Sequence, residues 1–600
     1  MELILFLERF QQVFLQEDFF FGVWHPQSVF LSKIWEITGT VVLKKGKNWV
    51  LVGNKFPFGK PVRLPFHLRY RKNKVCHAVA FRGYLLEPPF HTWSPSRIIL
   101  DYWLDLTERV HNGIFSVARI LNRGKSLELI TDAFGISPLY YRKVGDGVAF
   151  STNPRFLILG NENPDWLGWR NLLHSKYFCT DRTVYQEIRR VPAGTRLRFT
   201  DRRVENIQWF RYDRLPEGEN PITESAIGTA EELFQVAMQR CLQLGVPGRQ
   251  TILPLSSGYD SRRIFAFLIK HRVPFKAMTV RVLQKGMRDL DARYASQMCA
   301  DFGVNHQVFE YPITKEFIRY YHFRRNRFNS ETFEHTWIIP LMRALPKKPV
   351  LVFDGLGGDI LAGKVAYKKP EFYSNHSHTR VKALLHSLIK NKFAKVLNPS
   401  RWPSIQETRE DIAGFIGNLP ANMNTAEIFF LLTRTRRANA LMSQWLLPSG
   451  HIVVYPYLDL DHLRFLLNFH PLEKLRYSFQ QRTLQRYHPE FYHYPGNRSF
   501  PGDLTAENPW TIYLTKIQMV KGNLKEIRNR LAWEPFAELL TPTGRIVATF
   551  SRYHHRLLFM NRSWLQPISD IFLTFLNRRE MFQIESCPIA NERGLKQTIL

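Results

Sequence analysis

Six hundred residues, 22% of them charged and 44% apolar, describe a folded chain of two or three domains and exclude a disordered one. Eighty-three basic against 52 acidic residues leave a net charge of +31, which invites a nucleic-acid, anionic-lipid or acidic-peptide partner, although Lys and Arg spread along the whole chain fit a general basic bias as well; an acidic peptide or protein is the partner expected, and nucleic acid is not. No apolar run approaches the ~18 residues of a membrane-spanning helix, which excludes a membrane span. The five cysteines, Cys76, Cys179, Cys241, Cys299 and Cys587, stand far apart and suggest neither a zinc cluster nor a disulfide framework. The opening MELILFLERF carries Glu2 and Glu8 without a basic leader, so a cytoplasmic protein is expected.

Residues 1–213 read as a β-rich first domain. Short apolar or alternating runs occur at Gly39–Leu43, Trp49–Val52, Ala78–Tyr84 and Ile114–Ile120, separated by turn residues. Leu127–Arg142 (LELITDAFGISPLYYR) and Val148–Phe156 (VAFSTNPRF) follow, then Thr183–Tyr185 and Val191–Thr195. Arg214–Pro221, rich in Pro, Gly and Glu, marks a linker. The second domain is expected over 222–505. It opens with a helix over Thr223–Leu244 and a strand over Thr251–Leu255, and an apolar helical pattern runs through Ile264, Phe265, Phe267 and Leu268. A strand at Lys276–Val282, a helix at Asp291–Phe302 and strands at Gln307–Glu310 and Val350–Phe353 complete the alternation. Strands alternating with helices predict a doubly wound parallel sheet, with ligands beyond the carboxyl ends of its strands. Residues 364–450 are helical by pattern and contain a basic amphipathic piece, Arg380–Lys395, that is either a face for an acidic partner or a wet surface. Residues 506–600 form a C-terminal helical extension without a legible role.

Two loops carry candidate chemistry. After the strand Thr251–Leu255 comes Ser256-Ser257-Gly258-Tyr259-Asp260-Ser261 and then a helix. That layout aims backbone N–H groups and a helix N-terminus at an anion, and Gly258 permits close approach. Asp260 would repel a phosphate unless a cation lies between them, so it is read as a Mg²⁺ ligand. The loop lacks the Gly-Lys-Ser/Thr ending of a γ-phosphate-binding loop; taken alone, it fits a plain strand-to-helix turn with a Ser/Asp cap equally well. The second loop, VLVFDGLGGDILAG over 350–363, places Asp354 and Asp359 among Gly355, Gly357 and Gly358. Asp359 offers a second hard oxygen ligand, although a simple glycine-rich turn is the competing reading.

The first loop resembles the S-G-G-x-D-S pyrophosphate loop of the N-type ATP pyrophosphatases, with Ser257 in place of the first glycine. Asp132–Tyr141 (DAFGISPLYY) is similar to the D-R-F-G-x-x-P-L-Y-Y segment of the asparagine synthetase family. His111–Ala118 and Thr183–Gly194 resemble that family's L-x-G-x-F-A and T-x-F-x-x-I-x-x-L-x-P-G stretches, in the same order. Gly355-Leu356-Gly357-Gly358-Asp359-Ile360 looks like its G-E-G-A-D-E loop, with both glutamates lost. Tyr455–Asp459 resembles its R-x-P-F-L-D. The family's phosphate-binding lysine should fall near Pro495–Phe500, where Arg498 is the only cation; Lys364 and Lys368 read as solvated.

The resemblance implies an Ntn-type αββα amidotransferase-like domain followed by an ATP pyrophosphatase domain. Asp260 and Asp359 would hold Mg²⁺ on ATP. Leu255, Ser256, Ser257, Gly258, Ser261, Asp354, Gly355 and Gly357 would line the nucleotide, and Arg498 would reach the phosphates. The implied reaction adenylates a small-molecule, peptide or glycan carboxylate and passes it to an amine or ammonia, releasing AMP and pyrophosphate. In the family, glutamine is hydrolysed by an N-terminal cysteine; Met-Glu-Leu stands first here, so no glutaminase is expected. Loss of the first glutamate, at Leu356, weighs against free aspartate as acceptor. The β-lactam synthetases and lasso peptide cyclases share the two-domain pattern. A conventional ammonia-using asparagine synthetase, a tRNA-modifying pyrophosphatase-loop enzyme and an inactive nucleotide-binding pseudoenzyme remain the alternatives.

Overall fold

The computed structural model describes residues 20–25, 41–46, 48–54, 66–70, 76–86, 112–159, 162–245, 249–281, 290–310, 331–332, 338–346, 348–361, 370–389, 397–440, 450–477, 479–495, 539–544 and 546. The first part is built from strands β1 (Phe20–Trp24), β2 (Val41–Lys45), β3 (Trp49–Asn54), β4 (Phe66–Tyr70), β5 (Cys76–Leu85), β6 (Gly113–Leu121), β7 (Ser126–Thr131), β8 (Tyr140–Val144), β9 (Gly147–Ser151), β10 (Arg189–Arg190), β11 (Thr195–Phe199) and β12 (Val204–Gln208), with helix α1 (Trp166–Ser175) between β9 and β10. They form two antiparallel six-stranded sheets, ordered β10-β8-β9-β1-β3-β2 and β12-β11-β7-β6-β5-β4.

Alternation along the strands decides how these sheets face. Phe20, Trp24, Leu51 and Phe150 from one sheet pack against Ala80, Ala118, Ile120, Leu127 and Leu129 from the other. The intervening residues Phe115, Val117 and Ile130 bury the opposite face of the second sheet, as a period of two requires.

The second part begins with α2 (Glu224–Leu242), whose first turn is capped by the Thr223 side chain. Strands β13 (Gln250–Pro254), β14 (Phe275–Arg281), β15 (His306–Glu310), β16 (Val350–Phe353) and β17 (Ile452–Val454) follow, interleaved with α3 (Tyr259–Lys270), α4 (Leu290–Asp301), α5 (Ile339–Arg343) and the single turn α6 (Gly358–Leu361). Their order is β15-β14-β13-β16-β17, and all four neighbouring pairs are parallel. The chain moves outward from β13 in one direction through β14 and β15 and in the other through β16 and β17. The switch point therefore lies between β13 and β16, where parallel sheets open a crevice for ligand. Both candidate loops leave these two strands.

Helices α7 (Ser377–Leu388), α8 (Ile405–Gly417) and α9 (Thr425–Phe430) come next, the last running into a π-helix over Leu431–Asn439. After β17 come α10 (Leu460–Leu467), α11 (Pro471–Tyr477), α12 (Phe479–Tyr487) and α13 (Pro489–Tyr492). One buried apolar cluster runs from Phe21, Phe134 and Trp169 in the first part to Ile252, Phe265 and Phe353 in the second.

Polar contacts also cross between the two parts. Asn112 donates to Asp459 at 2.8 Å and accepts from the Leu460 N–H at 3.2 Å. Asn171 and Arg182 both bind Asp411. Two consecutive arginines of the π-helix, both buried, reach across. Arg436 donates to the carbonyls of Gly135 and Val191 and pairs with Asp181 at 2.8 Å. Arg437 pairs with Glu331 at 2.6 Å and donates to the carbonyls of Thr180 and Arg182. Among the described residues, no helix is long and apolar enough to cross a membrane.

Candidate active site

The loop after β13 is held by its own side chains. The Leu255 N–H donates to the Met278 carbonyl, which ties the loop's start to β14. The Ser256 N–H donates to Ser261 Oγ at 3.1 Å, and the Gly258 N–H donates to Ser256 Oγ at 3.2 Å. Ser257, only 1% exposed, donates its N–H at 3.1 Å and its hydroxyl at 2.5 Å to the Asp291 carboxylate at the start of α4. The serine that replaces a glycine here therefore has a structural partner. The N–H groups of Ser256, Ser257 and Gly258, expected to face an anion, are engaged by Ser261, Asp291 and Ser256 instead. Gly258 caps α3 with no side-chain hydrogen bond, so the first-turn N–H groups of α3 are the donors an anion would meet.

Asp260 lies in that first turn, with the loop after β16 pressed against it. A Cβ built on Gly358 would lie 2.8 Å from Asp260 Cγ, and one on Gly355 would lie 3.3 Å from Asp260 Cβ. Only glycine allows this approach. Gly357 has φ +92°, a value that lets the loop turn back. Asp354 accepts from the Leu356 N–H at 3.0 Å and so shapes the turn. Asp359, the residue after Gly358, is half-buried in the same turn. The geometry thus brings Asp260 beside the residue preceding Asp359. Leu356 and Ile360, where the resembling family carries glutamates, are buried in the core and present no carboxylate.

Gln480 on α12 fastens the two loops together. Its Nε2 donates to Asp260 Oδ1 at 2.9 Å and to the Gly358 carbonyl at 2.5 Å. Tyr457 fixes Asp260 from the backbone side, its hydroxyl donating to the Asp260 carbonyl at 3.0 Å. Among the described residues, no group of three or more His, Cys, Asp and Glu is gathered for a metal ion. The oxygens the fold brings together here are Asp260 Oδ1 and the Gly358 carbonyl, with Asp359 the next residue along the turn. That suits Mg²⁺, which takes one or two carboxylates and keeps water.

Beneath the loops lies a buried ionic network. Arg263 pairs with Glu231 at 2.9 Å, and Glu231 also accepts from Gln235 and contacts His488 Nε2 at 3.0 Å. Burial raises the Glu231 carboxyl, but Arg263, His488 and Gln235 outweigh it and hold the group at about 2. Burial and the Arg263 cation lower His462 to about 3. Arg262, fully buried, donates to the carbonyls of Ser257 and Tyr494 at 2.6 Å each and to that of Pro495 at 3.2 Å. It thereby ties the first loop to the start of the segment that contains Arg498, a residue outside the described ones, as are Lys364 and Lys368.

In the first part, the DAFG turn is organised by Asp132. Its carboxylate accepts from the N–H groups of Phe134, Ile136, Ser137 and Phe115. Burial raises it to about 6 against those four donors. Cys179, Cys241 and Cys299 are buried free thiols. Burial pushes Cys179 and Cys299 up to about 12 and Cys241 well above its ordinary value, so none of the three is an activated nucleophile.

Sequence reasoning did not single out Gln480, Asp291 or Arg262. A lone Gln, an Asp at a helix start or an Arg just after a loop carries no spacing signal.

The family comparison defines the class first: a glutamine amidotransferase domain matches residues 85–210, which span β6–β12. Residues 85–210 are thus similar to a glutamine amidotransferase domain. Asparagine synthetase [glutamine-hydrolyzing] 2 of Bacillus subtilis (strain 168) is 26% identical over 211 residues, 33% of this chain. The match spans only 28% of that relative's length. Two solved structures are also similar. The allosteric regulatory enzyme of purine biosynthesis is 12% identical at TM-score 0.22, covering 52% of this chain and 79% of that one. The glutamine phosphoribosylpyrophosphate amidotransferase from B. subtilis is 10% identical at TM-score 0.22, covering 68% and 86%. Likeness that loose carries no argument about this chain.

Proposed function

We propose that the chain is an ATP-dependent, AMP-forming carbon–nitrogen ligase of the asparagine synthetase-like group. It would comprise an amidotransferase-like domain over 1–213, an ATP pyrophosphatase domain over 222–505 and an extension over 506–600. The observation that carries the reading is the contact of Gly358 with Asp260 at the switch point of the parallel sheet. It sets two carboxylate-bearing turns side by side where a nucleotide would enter.

Asp260 and Asp359 would hold Mg²⁺, which supplies charge neutralisation between carboxylates and phosphates. The rest falls to the chain. The first turn of α3 orients the β- and γ-phosphates with its N–H groups, and preorganised donors of this kind contribute ~3 kcal/mol each to a developing anion. Gripping those two phosphates as the leaving group directs a substrate carboxylate to the α-phosphorus. Arg498 is assigned to the same phosphates and, staying charged, neutralises without giving up a proton. Ammonia or an amine of the substrate would then attack the activated carboxyl. The three buried thiols offer no nucleophile for releasing ammonia from glutamine. The apolar side chains at 356 and 360 favour a peptide, glycan or other small-molecule carboxylate over aspartate.

The test is nucleotide chromatography after incubation with ATP, Mg²⁺ and candidate carboxylates. AMP and pyrophosphate are expected, with Asp359→Asn losing most ATP–pyrophosphate exchange; ADP in step with product rejects the reading. A second reading, a nucleotide-binding pseudoenzyme, is favoured by the three loop N–H groups already engaged by Ser261, Asp291 and Ser256. It predicts nucleotide binding without pyrophosphate release from any carboxylate.

A further inference from the structure

Gln480 is 1% exposed, and its amide is used on one side only. Nε2 spends both of its hydrogens, one on Asp260 Oδ1 at 2.9 Å and one on the Gly358 carbonyl at 2.5 Å. Oε1 is buried without a hydrogen-bond partner among the described residues. A buried amide oxygen without a partner destabilises the fold, and here it belongs to the same amide whose nitrogen bridges two oxygens of different loops. A partial positive charge placed between a carboxylate oxygen and a carbonyl oxygen stands where a hard cation would stand. An amide carbonyl is itself an ordinary ligand for such a cation. The terminal torsion of glutamine is nearly two-fold, so half a turn exchanges oxygen for nitrogen without moving the rest of the side chain.

We propose that Gln480 is a further ligand in the divalent-cation site of Asp260 and the neighbouring turn, with two settings. Without the cation, Nε2 pins Asp260 Oδ1 to Gly358 and keeps the loops in register. With the cation present, the amide turns over, Oε1 coordinates it beside Asp260 Oδ1 and the Gly358 carbonyl, and Nε2 takes the buried position that Oε1 leaves. The cation is of the hard, oxygen-preferring class, Mg²⁺ or Mn²⁺. This inference rests on the metal part of the proposed function and adds the residue that couples α12 to both loops.

The test measures binding of Mn²⁺ alone, by the paramagnetic signal of the free ion, to the full chain stripped with a chelator and kept free of nucleotide. Gln480→Met, close in volume and unable to coordinate through oxygen, should weaken Mn²⁺ binding about tenfold or more, the loss typical of disturbing a metal site's supporting groups. Gln480→Glu should tighten it and give a larger Mn²⁺-induced rise in melting temperature than the unsubstituted chain shows. An unchanged Mn²⁺ affinity in Gln480→Met overturns the proposal; if that variant does not fold, an unchanged rise in Gln480→Glu overturns it. Asp260→Asn separates the two readings. Loss of Mn²⁺ in Asp260→Asn with full affinity in Gln480→Met rejects Gln480 alone. Full affinity in Asp260→Asn, or no Mn²⁺ binding by the unsubstituted chain, rejects the metal site and this inference with it. AMP formation is not among these readouts, so the outcome does not depend on finding the substrate.

Discussion

Alanine at Gly358 sets two physical effects against each other. Gly358 opens the turn Gly358–Leu361, and helix propensity alone says that alanine there should stabilise by about 0.5–1 kcal/mol. Packing says the opposite. The added methyl would lie 2.8 Å from Asp260 Cγ and 2.9 Å from Oδ1, against a comfortable separation of about 3.5–4.0 Å. Asp260 has little room to retreat, because Tyr457 holds its carbonyl at 3.0 Å and Gln480 holds its carboxylate at 2.9 Å. Overpacking of this kind costs about 1–3 kcal/mol, which exceeds the propensity gain and leaves a net loss of about 1–2 kcal/mol. Calorimetry should show the melting transition lowered by a few degrees, since about 1 kcal/mol shifts a domain of ~200 residues by ~2–4 °C. ATP–pyrophosphate exchange should fall with it, as Asp260 is displaced. Gly414→Ala is the control: it lies in α8, a Cβ there meets nothing within 4 Å, and it should melt higher than the unsubstituted chain. A Gly358→Ala variant melting at or above the unsubstituted chain would refute the contact between the two turns.

Two further substitutions probe the scaffold around the site. Arg437→Met strands the buried Glu331 carboxylate, now 2.6 Å from the guanidinium, and should cost about 3–5 kcal/mol. Adding Glu331→Gln should recover much of that loss in thermal melting, whereas strictly additive losses would show that the pair does not interact. His462, lowered to about 3 by burial and Arg263, takes up its proton more readily when unfolded. Stability is therefore lost as pH falls below ~6.5 toward 3, by about 1.4 kcal/mol per unit. His462→Leu should flatten that acid slope; Asp132, raised to about 6, contributes the opposite slope to both proteins and cancels in the comparison. Identical slopes in the two would show that His462 is not buried as a neutral ring.

Elements with strong local signals were legible in the sequence. The helix expected over Thr223–Leu244 forms over Glu224–Leu242 with Thr223 as its cap, because cap and apolar period agree. The strands around Ala78–Tyr84, Ile114–Ile120 and Val350–Phe353 form where alternation or an apolar run indicated them. The parallel sheet followed from strand–helix alternation alone. The glycines at 355, 357 and 358 announced a close backbone approach, but against what could not be read, since Asp260 lies almost a hundred positions earlier in the chain. Gln480 was illegible for the same reason: its meaning comes from two partners brought to it by the fold. The three loop N–H groups expected to face an anion were misread because the hydroxyls of Ser256 and Ser261 and the carboxylate of Asp291 take them first. The π-helix over Leu431–Asn439 left no mark in the apolar pattern.

The two arginines of that π-helix bear on how far the two parts of the chain can be separated. Arg436 and Arg437 project from the half that would bind nucleotide, yet their guanidiniums find oxygen largely in the other half, on the carbonyls of Gly135, Val191, Thr180 and Arg182. Parting the two halves would replace those fixed oxygens with water around both guanidiniums. The first part thus supplies most of the oxygen around these two cations, independent of any reaction it performs.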